Sequence, residues 1–342
     1  MKLNKVYLLL VVCLVTVSLI FAGCQGSKEN NQSDHAGNGS AQPQEVFIKV
    51  ATGNTGGTYY PVGVALGQLF SKLPGVTSSA MSTGGSVDNI GLLRSGEAQV
   101  AMMMATVGNW AFFGEDQFKD KQYSDLRAIT SLWPNLNHIV VLKEIESFAD
   151  LKGQKFVVGA ARSGTETDSY AILSSMGLYY REEDGDKKNL EPVWVNYAEA
   201  VEAMKNRQVA GGLFNTFPPG SSVSDLMATG DVHILSLTDE QLANLASQNP
   251  LYSDYEIPAG TYPNQSEAVK VCGYPNILVT SSEVAGETIY NLTKSIFENL
   301  DFLETAHKAT TLIQLETATK GIQIDFHEGA QKYYEEKGVW KN

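Results

Sequence analysis

Residues 50–71 read V-A-T-G-N-T-G-G-T-Y-Y-P-V-G-V-A-L-G-Q-L-F-S. The segment opens on the end of a strand, in which Val46, Ile48 and Val50 alternate with Phe47 and Lys49. A glycine turn from Gly53 to Gly57 follows. Then a helix begins, with Pro61 in its first turn, where a missing N–H costs nothing. Val62, Ala65, Leu66, Leu69 and Phe70 fall at helical spacing. A strand, a glycine turn and a helix start gather free backbone N–H groups around one small space, and the helix dipole adds partial positive charge there. Such a place suits a small anion. Gly56 and Gly57 also fit a plain tight βα turn. Neither G-K-[ST] nor G-x-G-x-x-G follows, so no nucleotide fingerprint is present.

Recurrence singles the arrangement out. It returns at Ser82-Thr83-Gly84-Gly85-Ser86, ahead of a helix carrying Val87, Ile90 and Leu93. It returns again at Arg162-Ser163-Gly164-Thr165, ahead of Ala171, Ile172 and Leu173. There Arg162 either brings a fixed cation to the loop or pairs with a surface carboxylate. A fourth strand-to-helix site follows, where the strand Val209 to Phe214 ends at Asn215-Thr216-Phe217-Pro218-Pro219-Gly220-Ser221 before another helix. Strands and helices alternate with few hairpin signals, which predicts a mostly parallel α/β sheet with its ligand beyond the carboxyl ends of the strands. Two of the four sites precede Leu136 and two follow it. Two α/β lobes facing each other, each giving two helix N-termini to one cleft, is the simplest geometry. Leu126–Thr130 and His138–Leu142 read as two strands, with a loop or crossing at Trp133–Asn137. Tyr252–Pro263 reads as an extended connection. Ala268–Thr280 reads as a strand returning to the first lobe, and helices follow it.

The first 23 residues have the layout of a cleaved secretory leader: Lys2 and Lys5, then an apolar run from Val6 to Ala22 that is short for a membrane span. Phe21-Ala22-Gly23-Cys24 resembles the bacterial lipoprotein cleavage box, with Phe21 where that pattern prefers Leu, and this makes Cys24 the lipidated first residue. Residues 24–45 contain almost no large apolar side chain and read as a flexible tether. The net charge is −13, and −15 once the two leader lysines are gone. An acidic surface argues against nucleic acid and leaves any anion site to act locally. Cys13 leaves with the leader and Cys24 takes lipid, so Cys272 stands alone and no internal disulfide forms. The five histidines have no ligand spacing, H-E-x-x-H and G-x-S-x-G are absent, and loops rich in Ser, Thr, Tyr and Gly suit binding by hydrogen bonds rather than catalysis. No metal or cofactor is expected.

Taken together, T-G-G-T-Y-Y-P at 55–61, S-T-G-G-S-V-D-N at 82–89, L-R-S-G-E-A-Q-V at 93–100 and D-L-K-G-Q-K-F-V-V-G at 150–159 resemble the TAXI family. So do S-G-T-E at 163–166, I-P-A-G-T-Y-P at 257–263 and F-E-N-L at 297–300. These are extracytoplasmic solute receptors of TRAP transporters. The resemblance implies an α/β periplasmic-binding-protein fold of the type II class, with two lobes and a hinge. It also implies a monomer that delivers glutamate or a dicarboxylate to TRAP permease subunits. The domains it implies are a leader (1–23), the lipidated tether (24–45), the first lobe (46–138), the second lobe (139–256), and a return connection completing the first lobe (257–342). The hinge is expected near Asn137–Leu142 and between Ile257 and Val279. Carrying the site over names Thr55, Gly57, Tyr59 and Tyr60, then Thr83, Gly84 and Ser86, then Ser163, Gly164 and Thr165, and finally Asn215 with Phe217. Arg162 stands where the family has a small residue. The implied location is the outer face of the cytoplasmic membrane, held by the lipid. The alternatives are a receptor of an ABC importer or sensor, or a secreted enzyme on the same scaffold.

Overall fold

A computed structural model describes residues 45–340; the leader, Cys24 and the tether lie outside the described residues. The chain begins with β1 (Val46–Ala51), α1 (Tyr59–Phe70), β2 (Val76–Met81), α2 (Ser86–Arg94), β3 (Val100–Met104) and α3 (Ala105–Phe113). It crosses on the long β4 (Leu126–Leu142) and continues with β5 (Lys155–Val157), α4 (Gly164–Ser175), β6 (Glu191–Val193) and α5 (Tyr197–Lys205). Next come β7 (Gly211–Thr216), α6 (Ser221–Ala228), β8 (Val232–Ile234), α7 (Asp239–Gln248) and β9 (Ser253–Ile257). The chain returns on β10 (Val269–Ser281) and ends in α8 (Gly286–Phe297), α9 (Leu300–Glu304) and α10 (Glu328–Glu336).

The strands lie in the order β2-β1-β3-β10-β4-β7-β5-β6, with β8 on β4 and β9 on β10. The expected parallel pairs are present: β1 with β2 and β3, and β5 with β6 and β7. The sheet as a whole is mixed, not mostly parallel. β4 and β10 run against their neighbours β3, β7, β8 and β9 and against each other. They also tie the two halves together. The start of β4 pairs with the end of β10 in the first half, and Leu136–Val141 pairs with β7 in the second.

A second correction concerns Trp133–Asn137, which is strand and not loop. Pro134 is why the sequence reads as a break. In the sheet Pro134 faces Pro275, so neither residue withholds an N–H that the other needed, and one of the two register shifts of this pair falls just beyond, between Pro275 and Ile277. Trp133 is wholly buried there, edge-on to Tyr59 at 6.3 Å. Likewise Ser253–Ile257, read as a connection, hydrogen-bonds to β10 as β9. Helix α3 follows β3 directly and is stopped by Gly114 at φ 73°.

Alternation along β1 is as the sequence predicts: Ile48 and Val50 are buried, whereas Phe47 is exposed. They join one apolar cluster with Leu66, Phe70, Trp133, Ile289, Tyr333 and Tyr334, which fixes α1, α8 and α10 on the first half. A second cluster runs through Met104, Val140, Phe156, Ile172, Leu213 and Val279 and carries the other half. Cys272 is free and buried, with its thiol pushed well above its usual range by burial.

Candidate functional site

The turn after β1 is closed by Gly57 N–H donating to Asn54 C=O at 3.1 Å. The loop after β2 lies against it, with Ser82 Oγ donating to Gly53 C=O at 3.0 Å. In this second loop Gly85 has φ 115°, a conformation side chains rarely adopt, and its N–H donates to Thr83 Oγ1 at 3.1 Å. Gly84 N–H donates to Asp88 Oδ2 at 3.1 Å. Ser86, the first residue of α2, accepts from Met104 N–H at 3.2 Å. In the third loop Ser163 caps α4, its Oγ accepting from Glu166 N–H at 3.0 Å. Gly164 is packed so tightly that a Cβ would fall 2.2 Å from Met104 Sδ and 2.8 Å from Ser86 Oγ. The N-termini of α2 and α4, one from each half of the chain, therefore meet at the end of β3.

These loops line a small cavity of about 40 Å3. Eight residues named from the sequence line it: Gly57, Tyr59, Gly84, Ser86, Ser163, Gly164, Thr165 and Asn215. The others stand outside its wall. Thr55 is exposed and Tyr60 half-buried. Thr83 is turned onto Asn89, donating to its Oδ1 at 2.7 Å. Phe217 meets the edge of His307 at 6.4 Å. Arg162 is exposed, at φ 61°, with Nε 2.7 Å from Asp88 Oδ1. This is the surface pairing of the two readings given above.

The structure adds Asn54, Thr58, Met104, Asn135 and Tyr197 to the wall. Tyr197 begins α5, and its hydroxyl accepts from Asn215 N–H at 2.8 Å and lies 2.9 Å from Thr165 Oγ1. No glycine loop precedes it, so the signal that flagged the other sites is missing there. Asn135 was hidden in the apparent break at Pro134. The fourth helix start does not reach the cavity. At α6, Ser221 and Ser222 instead donate to Gly56 C=O at 3.2 and 3.3 Å.

The wall is neutral. No lysine, arginine or histidine belongs to it, while the N-termini of α1, α2 and α4 do. Asn54 Oδ1 is buried without a hydrogen-bond partner. Behind the wall Asp168 is buried and its pKa is pushed up by burial to about 6, although several neutral donors hydrogen-bond to it. His138 is also fully buried. Its Nδ1–H donates to backbone carbonyls, Nε2 accepts from the Tyr262 hydroxyl at 2.8 Å, and burial pulls its pKa down to about 4. Among the described residues no cluster of three or more His, Cys, Asp or Glu could hold a metal, and no helix is long and apolar enough to cross a membrane.

A family model described as the NMT1-like family matches residues 50–338. Among solved structures, a protein of Bordetella bronchiseptica RB50 superposes with a TM-score of 0.52 at 18% identity, over 85% of this chain and 89% of that one. The alkanesulfonate-binding protein SsuA from Xanthomonas axonopodis pv. citri, bound to MOPS, has a TM-score of 0.48 at 13% identity, over 86% and 92%. A binding protein component of an ABC phosphonate transporter from Pseudomonas aeruginosa has a TM-score of 0.48 at 13% identity, over 79% and 81%. At these identities the likeness is one of fold. The fold is the α/β, two-lobe one expected from the sequence.

Proposed function

The chain belongs to the NMT1-like family, and from that premise we propose that it is an extracytoplasmic solute receptor. It holds a small carboxylate, glutamate or a dicarboxylate, in the cavity between its lobes and presents it to a membrane permease. One observation carries the reading: three helix N-termini converge on one cavity whose wall has no charged side chain. Backbone N–H groups and dipoles at helix starts stabilise an anion without an arginine. Hydroxyls of Ser86, Thr165 and Tyr59 add polar partners around it.

Binding rather than catalysis is the natural use of this wall. Ser86 and Ser163 are both engaged by backbone N–H groups, and no histidine lies beside either to act as a base. The permease in this reading is of the TRAP type, which rests on the loop motifs at 55–61 and 82–89. An ABC importer is the alternative, and it changes the partner, not the cavity. Lipid on Cys24 would keep the receptor at the outer face of the cytoplasmic membrane.

Calorimetry against L-glutamate, C4 and C5 dicarboxylates and neutral sugars tests the ligand class. Mass spectrometry of what the denatured protein releases identifies any ligand that co-purifies. Carboxylate binding is expected; tight sugar binding without it sinks the proposal. Cross-linking in membranes, with the captured permease identified by peptide mass, separates the TRAP from the ABC reading.

A further inference from the structure

Behind the cavity lies a carboxylate that solute binding leaves unused. Asp168 is completely buried on α4, one turn inside the helix from Thr165. Its Oδ2 accepts from Asn137 Nδ2 and from Asn215 Nδ2, both at 2.9 Å. Its Oδ1 accepts from the Tyr252 hydroxyl at 2.8 Å. Every one of these partners is neutral. The remaining groups that face it are Tyr274 and Cys272 from β10, Tyr197 from α5 and Tyr59 from α1, all kept protonated by burial. Glu166, two residues earlier on α4, is paired with Arg181 at 3.3 Å.

Asp168 is thus a buried acid without a countercharge, and such a group escapes the cost of desolvation by taking up a proton. One residue separates it from the cavity. Asn215 lines the wall, gives its Nδ2 to Asp168, and accepts from Asn137 Nδ2 at 2.8 Å on its Oδ1. An anion arriving on the other side of Asn215 brings a like charge close to the carboxylate, which favours the protonated form further.

We infer that Asp168 is a proton-binding site coupled to the cavity, so that an anionic ligand is taken up together with a proton on Asp168 and leaves as that proton leaves. The inference rests on reading the cavity as an anion site. With a midpoint near 6 in the free protein, Asp168 changes state just below neutral pH. Ligand and proton strengthen each other by the same factor. Affinity is highest below that midpoint. It falls by up to about tenfold per pH unit above it, until the midpoint of the loaded protein is passed.

The experiment measures L-glutamate affinity by calorimetry between about pH 5 and about pH 8, in buffers of different ionisation enthalpy, and follows the Asp168 carboxyl 13C shift with and without glutamate. Affinity should fall about 5- to 150-fold across the range, the usual size of coupling between two sites. Proton uptake should accompany binding, and the carboxyl midpoint should rise on loading. Asp168→Asn should bind independently of pH with no proton uptake. Tyr252→Phe removes one donor from the carboxylate and leaves the cavity wall intact. It should move the carboxyl midpoint and the affinity profile upward together, which a loss of packing alone does not do. Flat wild-type affinity without proton uptake overturns the inference, as does a free carboxyl midpoint at the ordinary value near 4. If glutamate gives no heat at any pH, the carboxylate reading fails instead. The ligand-free titration then decides the proton site by itself, with a midpoint near 6 keeping it and one near 4 removing it.

Discussion

Arg162 and Thr165 sit three residues apart and are expected to behave differently. Arg162 spends its charge on Asp88 in an exposed pair outside the wall, whereas Thr165 lines the cavity. An exposed ion pair is worth less than about 1 kcal/mol, so Arg162→Ala should weaken carboxylate binding by no more than about fivefold. Thr165→Ala removes a hydrogen-bond partner of a charged ligand, which costs about 1.5–3 kcal/mol, roughly ten- to hundredfold in affinity. Calorimetry on the two variants checks both, and the reverse order of effects would return Arg162 to the role of ligand cation. Two buried titratable residues set a stability signature. The His138 pKa is lowered to about 4, so the stability its neutral form supports is present above about 6.5 and is lost as pH falls toward 4. The Asp168 pKa is raised to about 6, so its contribution is present below about 3.8 and is lost as pH rises toward 6. Each is worth about 3 kcal/mol, and between about pH 4 and pH 6 their slopes oppose each other. Asp168→Asn should therefore unmask a steeper loss of stability on acidification, read from urea unfolding at about pH 4.5 and about pH 6.5. An unchanged difference between the two pH values would count against it. Neither residue was visible as special in the sequence. Asp168 lies inside an ordinary helix and His138 inside a strand, and burial without a counterion is a tertiary property.

The strand, glycine turn and helix unit was the legible element, because its signals are local. The glycines of loop two take up the tight turn, Gly85 at positive φ, and the helix N-terminus opens directly into the cavity. The same logic names a test. Gly164→Ala would place a methyl group 2.2 Å from Met104 Sδ and 2.8 Å from Ser86 Oγ, so Met104, Ser86 or the start of α4 must shift within the cavity wall. α4 keeps its Ser163 cap and its buried Ile172 and Leu173. The variant should therefore remain folded, with a loss of about 1–3 kcal/mol typical of overpacking, while carboxylate binding falls at least tenfold. Thermal unfolding beside calorimetry checks this, and retained affinity would mean that the two helix starts need not touch. The elements that were misread share a cause. Pro134 signals a break when read locally, and only its partner Pro275, 141 positions away in the chain, makes it compatible with a continuous β4. Ser253–Ile257 becomes β9 because β10 offers it an edge. Local patterns cannot report which strand a segment will find, and the antiparallel character of the sheet was lost for the same reason.

At the scale of the molecule, the chain passes between its two halves on β4 and again on β10, and contacts across the cavity hold those halves together on both flanks. On one flank Thr58 Oγ1 lies 3.0 Å from Thr216 Oγ1, and Ser221 and Ser222 donate to Gly56 C=O. On the other, Arg162 meets Asp88, and Gln117 Nε2 donates to Thr167 Oγ1 at 3.0 Å. These are hydroxyl, amide and exposed ionic contacts, each worth about 1 kcal/mol or less. Beside them Gly164 of the second half packs on Met104 of the first, so the joint combines polar contacts with apolar packing. In the proposed receptor a ligand shifts an open–closed balance only through its differential affinity for the closed form. In that proposal the closed form is the arrangement described here, with α1 and α2 from the first half and α4 from the second around the same space. Saturation with a bound carboxylate should therefore lower the radius of gyration seen by small-angle scattering. The double variant Ser221→Ala with Ser222→Ala leaves the cavity wall unaltered but removes two closing contacts, so it should raise the free protein's radius of gyration and weaken binding by about five- to thirtyfold. The loss should appear mainly as faster dissociation, where most changes in affinity among variants of one site are found. If the double variant binds and scatters like the wild type, those serines do not hold the lobes closed. If ligand binds without any compaction, the clamp itself is excluded and the cavity must fill by another route.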